Sequence, residues 1–535
     1  MTKMINTEGI RAQATYIRAT LSTILVWAIY VILMPVNRTE NDDGYHYAYL
    51  LLHGNSEQLY QSRFPLFLPF EKLIVNVFYS CHIAVDPYKS MIWVSSIFAA
   101  AALFMFYLIA RRRFMISHQS SLLAMLLLAF SYGFWRYAVE AELYSISHFL
   151  IFTTLYLLSS TVKEKTFRIV QASFIASVAV LFYKPNFIPL FLAFPCYFLV
   201  MRAYKQYILF LLTGAFFILL GYLVIFFSVK VSQTTYLSYL FSGGDGNEGN
   251  FLMSIFVYLS DIASTNYLYG FNLIKNLIHQ RFPANMIVEE IMTASFYPLL
   301  NLIAVFTTIS LIITGLYLVY RRFRLKTSSK KSNELNGLKT VIFIWLIIYC
   351  LILSILDPNS PEPWMMLVPP FFFIIGFDLI YKFEVNASSY AYRACYILLG
   401  FLILHNLAAA VIPNMNKNSD YNNNQGRQII SKATKNDVII CFGSYTEFYY
   451  LQYYSQAKVI NANDDLSAFK RLVNQTLSKK RNVYLSNDVI YPVDVIRFRK
   501  PQNYKLLKQL ISGYKILGHD KPGTFQNPGY YTLSI

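Results

Sequence analysis

Long apolar runs separated by short polar segments dominate the pattern of this chain. A helix of ~20 apolar residues is long enough to cross the ~30 Å hydrocarbon core of a bilayer. The pattern therefore predicts a polytopic α-helical membrane protein. We expect eleven spans, at about 19–36, 89–110, 119–134, 145–161, 168–183, 186–201, 207–228, 296–320, 339–356, 364–381 and 392–412.

The apolar stretch 64–84 is interpreted differently from the spans. It contains Glu71, Lys72 and Asn76, and an ion near the centre of a bilayer costs roughly 2.5–3.5 kcal/mol. A span here would also place Arg111–Arg113 outside, against the preference of basic loops for the cytoplasm. We therefore expect an amphipathic helix that lies on the outer membrane surface.

From residue 413 onward the chain becomes polar, and short apolar strands alternate with helical segments. Strand, helix and strand at this spacing favour parallel βαβ units. The predicted organisation is a transmembrane module at 1–412, with a first outer loop 37–88 and a long outer loop 229–294, and a small α/β extracytoplasmic domain at 413–535. The first turn between strand and helix lacks a phosphate-binding glycine motif, which argues against a nucleotide site there.

The amino-acid composition is typical of a protein that is surrounded mainly by lipid. Only 14% of residues are charged, against roughly 25% in soluble domains. The net charge of +18 comes largely from basic clusters between apolar runs, such as 111–113 and 321–326. Such clusters mark cytoplasmic loops, so membrane lipids and not nucleic acid are the expected partners. We expect a bacterial inner-membrane protein with a cytoplasmic N-terminus and a periplasmic C-terminal domain.

Four polar features fall on the predicted outer side of the membrane. They are Asp42-Asp43 followed by Tyr45 and His46, the segment 131–145 with Arg136 and Glu142, Lys184 in 182–186, and the turn 356–364 with Asp357, Glu362 and Trp364. Each one alone fits a solvated loop or an interfacial side chain. Together they predict a site at the lipid–water boundary, where a donor in the bilayer meets an acceptor in water. Five scattered cysteines have no metal-like spacing.

Two of these features resemble a known superfamily. "ENDDGYHYAYLL" resembles the first outer loop of GT-C glycosyltransferases, polytopic enzymes that use polyprenyl-phosphate sugars. "FWRYAVEAELYS" is similar to a second signature of the protein O-mannosyltransferase-like branch, and its matching positions are Phe134, Trp135, Ala138, Ala141, Glu142 and Tyr144. The resemblance covers roughly residues 15–200. It departs at Asp42-Asp43-Gly44-Tyr45, where that branch usually has Asp-Ser-Gly-Glu.

The resemblance implies a membrane glycosyltransferase that moves a hexosyl or pentosyl group, with inversion, from a polyprenyl-phosphate donor. The acceptor is a glycan, a lipid or a protein on the periplasmic face. The resemblance assigns Asp42 as the general base, because a carboxylate near the attacking hydroxyl takes up its proton. It assigns Asp43 either to orienting the acceptor or to helping bind a metal.

The leaving lipid phosphate needs cationic partners. Arg136 and Lys184 are the outward candidates, with Arg63 as a third. Glu142 is expected to orient the acceptor, the sugar hydroxyls or Arg136, and Tyr45 and His46 complete the expected substrate-binding set. The sequence indicates no cofactor. It leaves open whether a divalent metal is needed, because the superfamily is divided on metal dependence.

Two other functions stay open on the sequence. A polysaccharide polymerase or ligase would use its late outer loop, which here contains Arg281. A non-enzymatic transporter of lipid-linked glycans would show charged residues within spans and broken helices in inverted repeats. Substitution of Asp42 separates these functions, because a polymerase that depends on the late loop tolerates it.

Overall fold

A computed structural model gives the architecture of this chain. It describes residues 2–37, 43–159, 166–229, 235–241, 251–281, 293–325, 333–357, 361–386, 388–442, 445–462, 466–490, 501–519 and 529–534. The fold is mostly helical, with one small sheet near the C-terminus. The prediction of a polytopic helical protein with a small C-terminal α/β domain is confirmed.

Among the described residues, seven helices are long and apolar enough to cross a membrane, and their number rises to eight if one bent pair forms a single span. The seven are Thr15–Ile32, Pro87–Arg112, Tyr204–Val229, Pro298–Arg324, Leu335–Leu356, Glu362–Val385 and Ser389–Met415. The bent pair is His118–Ala129 with Tyr132–Ala138, at an angle of 70°. Three shorter apolar helices, Tyr144–Leu158, Thr166–Phe182 and Lys184–Val200, correspond to predicted spans four to six. The predicted count of eleven spans stays a prediction.

The outer faces of the long helices are strongly apolar. Leu212 and Phe216 of Tyr204–Val229 are 65% and 60% exposed, and Ile313 and Leu316 of Pro298–Arg324 are 62% and 66% exposed. Contiguous exposed apolar surface of this extent is unfavourable in water. These helices therefore face lipid, and the chain is an integral membrane protein.

Shorter helices lie between the spans along the chain. They are Asp43–His53, Ser56–Leu59, Phe67–Ser80, Tyr236–Phe241, Phe251–Ile262 and Asn272–Arg281. Within Phe67–Ser80, Phe67, Leu68 and Glu71 are buried, whereas Leu73 and Val77 are 61% and 54% exposed. This helix coincides with the stretch that the sequence predicts to lie on the membrane surface. Its exposed apolar side chains suit such a position.

The C-terminal sheet has five strands, β1 to β5, in the order β2-β1-β3-β5-β4. The strands are Val438–Cys441, Lys458–Asn461, Val483–Leu485, Lys515–His519 and Tyr530–Ser534. β1 pairs in parallel with both β2 and β3, as the βαβ pattern predicts, and β5 joins β3 and β4 antiparallel. The flanking helices are Tyr421–Ile430, Tyr445–Tyr454, Leu466–Ser478, Asn487–Ile490 and Pro501–Ile511.

The chain divides into two compact units. The first consists of residues Met1–Ile32, Gly54–Ser264 and Phe306–Asn406, and the second of Leu33–His53, Thr265–Val305 and Leu407–Ile535. The unit that holds the sheet thus also includes the helix Asp43–His53. The helix Asp43–His53 therefore packs with residues from the C-terminal part of the chain.

Candidate active site

Asp42, the predicted base, lies outside the described residues. Asp43, Tyr45 and His46, which follow it in the chain, belong to the unit that holds the sheet. Asp43 begins the helix Asp43–His53, where a negative charge in the first turn complements the helix dipole. The Tyr47 hydroxyl donates a hydrogen bond of 3.2 Å to Asp43 Oδ2. The carboxylate of Asp43 is therefore held at the start of its helix, directly after Asp42 in the chain.

Tyr45 and His46 pack against the helix Tyr445–Tyr454. The ring of Tyr45 is 5.2 Å from the ring of Tyr450, in an edge-to-face arrangement, and only 3% of Tyr45 is exposed. The ring centre of His46 lies 4.5 Å from that of Tyr449. Two predicted substrate-binding residues thus join a larger group of aromatic side chains, which the sequence does not reveal because its members are far apart in the chain.

The other predicted residues lie in the first unit, and Arg136 is the best defined of them. It is in the short helix Tyr132–Ala138, and its Nε donates to Glu140 Oε1 at 3.1 Å. Both side chains are 8% exposed. The guanidinium carbon is also 5.2 Å from the ring centre of Tyr137. A buried guanidinium held by a carboxylate and a ring has a fixed position and a strong field.

Glu142 lies two residues beyond Glu140 and is 5% exposed. Its backbone N–H donates to the carbonyl of Glu140 at 2.9 Å, and its own carbonyl accepts from Ser95 Oγ at 2.8 Å. Its backbone is therefore held by hydrogen bonds on both sides. The segment 139–143 thus carries two buried glutamates, and Glu140 pairs with Arg136.

Asp261 is a further buried carboxylate, and the sequence interpretation did not include it. It ends the helix Phe251–Ile262, is 2% exposed, and lies against Gly133, at which a Cβ atom would come within 2.8 Å of Asp261 Oδ1. Burial raises the pKa of Asp261 well above its ordinary value, the charge of Arg136 lowers it, and Glu362 raises it further. Asp261, Arg136 and Glu362 are therefore electrostatically coupled.

Arg63 and Lys184 lie side by side in the first unit. The Lys184 backbone N–H donates to the Arg63 carbonyl at 3.0 Å, and Lys184 Nζ donates to the Leu240 carbonyl at 2.7 Å. The Arg63 guanidinium is 6.0 Å from the ring centre of Tyr183. Since Arg63 and Glu362 both act electrostatically on Tyr144 and Tyr183, Arg63 belongs to the same polar region as Glu362.

One polar cluster of the first unit groups side chains from four separate parts of the chain. We call it the arginine–carboxylate cluster, and it consists of Arg63, Arg136, Glu140, Asp261 and Glu362. Arg136, Glu140 and Asp261 are buried, Glu362 is partly buried, and Arg63 is exposed. The raised pKa of Asp261 favours its neutral form. A guanidinium group that a carboxylate holds in place is suited to bind an anionic group.

In the described part of the chain, no group of three or more His, Cys, Asp and Glu side chains is placed so that it could hold a metal ion.

The sequence gives little indication that Asp261 belongs to a site, because it is a single acidic residue in the apolar run "VYLSDIAS". Its burial against Gly133 is the feature that identifies it, and this feature is visible only in three dimensions.

The fold is similar to that of ArnT from Cupriavidus metallidurans. The crystal structure of ArnT bound to undecaprenyl phosphate matches with a TM-score of 0.56 at 11% identity, covering 97% of each chain. The structure of ArnT in the apo state matches with a TM-score of 0.57 at 11% identity, covering 98% of each chain. No protein-family model matches the sequence, and no curated protein matches it. The chain therefore has the fold of these two ArnT structures.

Proposed function

We propose that this protein is a GT-C glycosyltransferase that moves a sugar from a polyprenyl-phosphate donor to an acceptor at the periplasmic face of a bacterial inner membrane. The similarity in fold to ArnT over almost the whole chain carries this proposal. ArnT has been crystallised with undecaprenyl phosphate, the lipid part of such a donor. The first-loop motif and the "FWRYAVEAELYS" motif add the O-mannosyltransferase-like branch as the finer assignment.

Asp42 is the proposed general base. An acceptor hydroxyl is a weak nucleophile, and a carboxylate within hydrogen-bond reach removes its proton as the anomeric carbon is attacked. A single displacement of this kind inverts the configuration at the sugar. Asp43, held by Tyr47, orients the acceptor or contributes to a metal site.

The arginine–carboxylate cluster supplies the charge for the leaving group. As the bond to the sugar breaks, negative charge grows on the lipid phosphate, and preorganised cations stabilise it. Arg136 is fixed by Glu140 before any substrate arrives, so little reorganisation is needed. Arg63, with Lys184 beside it, provides further positive charge, and Glu142 orients sugar hydroxyls or the acceptor.

The test compares membranes that contain the wild-type chain, Asp42→Asn or Glu57→Gln at matched expression. Glu57 is an exposed carboxylate in the same predicted outer loop, so Glu57→Gln is the matched control. Radiolabelled polyprenyl-phosphate sugars are supplied with an extract of outer-face acceptors, and label that leaves the lipid is counted. We expect transfer by the wild type and Glu57→Gln, and a loss of at least about 100-fold in Asp42→Asn, within the range of general-base catalysis. Equal transfer by Asp42→Asn would contradict the assignment.

A further inference from the structure

The helix Pro87–Arg112 ends in two arginines that neutral groups hold in place. Arg111 donates a hydrogen bond of 2.9 Å from Nη1 to the Ile116 carbonyl, and Arg112 donates one of 2.6 Å from Nη1 to the Tyr16 hydroxyl. The Arg112 guanidinium carbon also lies 4.1 Å from the centre of the Tyr16 ring. Since a guanidinium group has five N–H donors, both arginines keep donors that these hydrogen bonds do not use.

A third arginine, Arg18, comes from the first span. The charges of Arg18 and Arg111 both act on Tyr107 and on His118, so the two guanidinium groups lie at the same end of the helices. Arg18 is exposed, and Arg111 and Arg112 are partly exposed. We call Arg18, Arg111 and Arg112 the helix-end arginines. A ligand from outside the chain can reach them.

The positive charges of the helix-end arginines are not balanced by an ion pair within the described part of the chain. The salt bridges there are formed by other basic residues, Arg136, Arg322 and Lys382. The carboxylate of Glu384 lies at the start of the neighbouring helix His118–Ala129, where it accepts hydrogen bonds from two serine hydroxyls. Like charges repel one another, and an anion that binds all three arginines removes this repulsion.

Another basic helix end in the same unit provides a contrast. The helix Pro298–Arg324 also has arginines in its last turn. Arg322 donates to both carboxylate oxygens of Asp378, at 3.0 and 3.2 Å, and Lys382 pairs with the same carboxylate. That helix end therefore has a counter-ion within the chain. Among the described residues, the helix-end arginines have none.

An apolar helix face continues from Arg18 toward the middle of the first span. Leu21 and Leu25 follow Arg18 by three and by seven residues, a spacing that puts all three on one face of the helix. Leu21 is 62% exposed and Leu25 is 63% exposed. A ligand with an anionic group and apolar chains contacts both the arginines and this face. A free phosphate ion would use the arginines alone.

The helix-end arginines lie far from the proposed active site. Ser95, whose hydroxyl donates to the Glu142 carbonyl, is on the same helix as Arg112. Seventeen positions separate Ser95 from Arg112, which corresponds to about 25 Å along the axis at a rise of 1.5 Å per residue. This distance is close to the thickness of the hydrocarbon core. A lipid bound at Arg112 is therefore not the donor whose phosphate would lie beside Arg136.

We propose that the helix-end arginines bind the phosphate of an anionic phospholipid whose acyl chains lie along the apolar face of the first span. Guanidinium groups bind phosphate oxygens through paired hydrogen bonds, and basic pockets between membrane helices bind anionic headgroups. In the predicted orientation this lipid belongs to the cytoplasmic leaflet. The site goes beyond the proposed function, because its lipid is neither donor nor acceptor and instead stabilises the folded protein.

The experiment measures thermal unfolding of the full chain in detergent while a ligand is titrated in. The ligands are dioleoylphosphatidylglycerol, zwitterionic dioleoylphosphatidylcholine and inorganic phosphate. A ligand that binds the folded state raises the unfolding temperature, and the concentration dependence gives its apparent affinity. The variants are Arg18→Gln and Arg112→Gln. Arg18 makes no side-chain hydrogen bond to the described residues, so Arg18→Gln removes a charge without removing such a contact. Arg324→Gln is the control, since Arg324 is an exposed arginine at the other basic helix end.

We expect phosphatidylglycerol to raise the unfolding temperature of the wild type more than phosphatidylcholine or phosphate does at the same concentration. Arg18→Gln and Arg112→Gln should each need about fivefold more phosphatidylglycerol for the half-maximal effect, the contribution of one basic residue near an anionic membrane surface. Arg324→Gln should stay near wild type. The same phosphatidylglycerol dependence in Arg18→Gln as in the wild type overturns the site, and so does an equal loss in Arg324→Gln. Phosphate or phosphatidylcholine as effective as phosphatidylglycerol overturns the assignment of an anionic lipid.

Discussion

At the residue scale, Gly133 leaves the space that the side chain of Asp261 occupies. A Cβ atom at residue 133 would lie 2.8 Å from Asp261 Oδ1 and 3.0 Å from its Cβ and Cγ. Asp261 has a short side chain, and the contact includes its stem, so rotation of the carboxylate alone does not relieve it. Glycine is therefore required at position 133 for a geometric reason.

Gly133→Ala should lower stability and transfer together. Overpacking of a tight site typically costs about 1–3 kcal/mol, and displacement of Asp261 disturbs the field around Arg136. The measurement is thermal unfolding of the detergent-solubilised protein, together with sugar transfer. Gly315→Ala is the matched control, since nothing lies within 4 Å of the added atom. If Gly133→Ala and Gly315→Ala had the same unfolding temperature and the same rate of transfer, the close contact at Gly133 would matter for neither stability nor activity.

Glu71 should make stability depend on pH. It is 1% exposed, its carboxylate oxygens accept no hydrogen bond within the described residues, and burial raises its pKa to about 8. The folded state thus keeps a proton that the unfolded chain releases above about pH 4.3. Stability is therefore fully present below that pH and falls as the pH rises toward 8.

Glu71→Gln removes this titration, so its unfolding temperature should change less between pH 5 and pH 8 than that of the wild type. The comparison uses thermal unfolding of both proteins in one detergent, with Glu57→Gln as a control for loss of an exposed carboxylate. Parallel pH profiles for wild type and Glu71→Gln would mean that Glu71 is ionised in the folded protein.

At the element scale, Asp437 connects the start of β1 to the start of β3. Its carboxylate accepts from Thr434 N at 2.8 Å, Thr434 Oγ1 at 2.7 Å and Asn482 N at 2.9 Å. Burial raises the pKa of Asp437, but these hydrogen bonds outweigh burial, and the net pKa is lowered. The stabilisation is present above the ordinary carboxyl pKa and is lost as the pH falls through the lowered value.

Asp437→Asn should loosen the parallel pairing of β1 with β3. The asparagine amide has one acceptor oxygen where the carboxylate has two. At least one of the three donors would therefore face the N–H₂ group and lose its hydrogen bond, which lowers the free energy of unfolding by about 1–3 kcal/mol. Hydrogen exchange of the full chain should show faster exchange in Val438–Cys441 and Val483–Leu485. Lys435→Gln, an exposed charge change two residues away, should leave exchange unchanged. Equal protection in Asp437→Asn would contradict this role.

The strands show what local pattern predicts and what it misses. β1, β2 and β3 are short apolar runs followed by helices, and the sequence predicts them correctly as parallel strands. β4 and β5 were not predicted. β4 is largely exposed and, among the described strands, pairs with β5 alone, while β5 pairs with β3 as well. These segments form strands because they pair with residues that are distant in the sequence, and the β-propensity of single residues does not predict such pairing.

At the scale of the whole molecule, composition and apolar run length predict the fold class, because lipid demands long apolar helices. The same signals do not predict the arginine–carboxylate cluster. Arg136 was identified through a motif, whereas Asp261 becomes informative only through its contact with Gly133 and its coupling to Arg136. The grouping of Tyr45 with Tyr450 and Tyr454 likewise depends on the packing of distant helices.

The predicted orientation can be tested with a cysteine already in the chain. Cys81 is exposed at the end of the helix Phe67–Ser80, in the loop that the basic clusters place outside. In spheroplasts a membrane-impermeant maleimide should label the wild type but not Cys81→Ser. Cys395 and Cys441 are buried, and Cys196 and Cys350 are partly buried, so the background should be low. Labelling of Cys81 only after the membrane is opened would place this loop in the cytoplasm. The proposed base Asp42 precedes it in the same loop and would then be separated from a periplasmic acceptor.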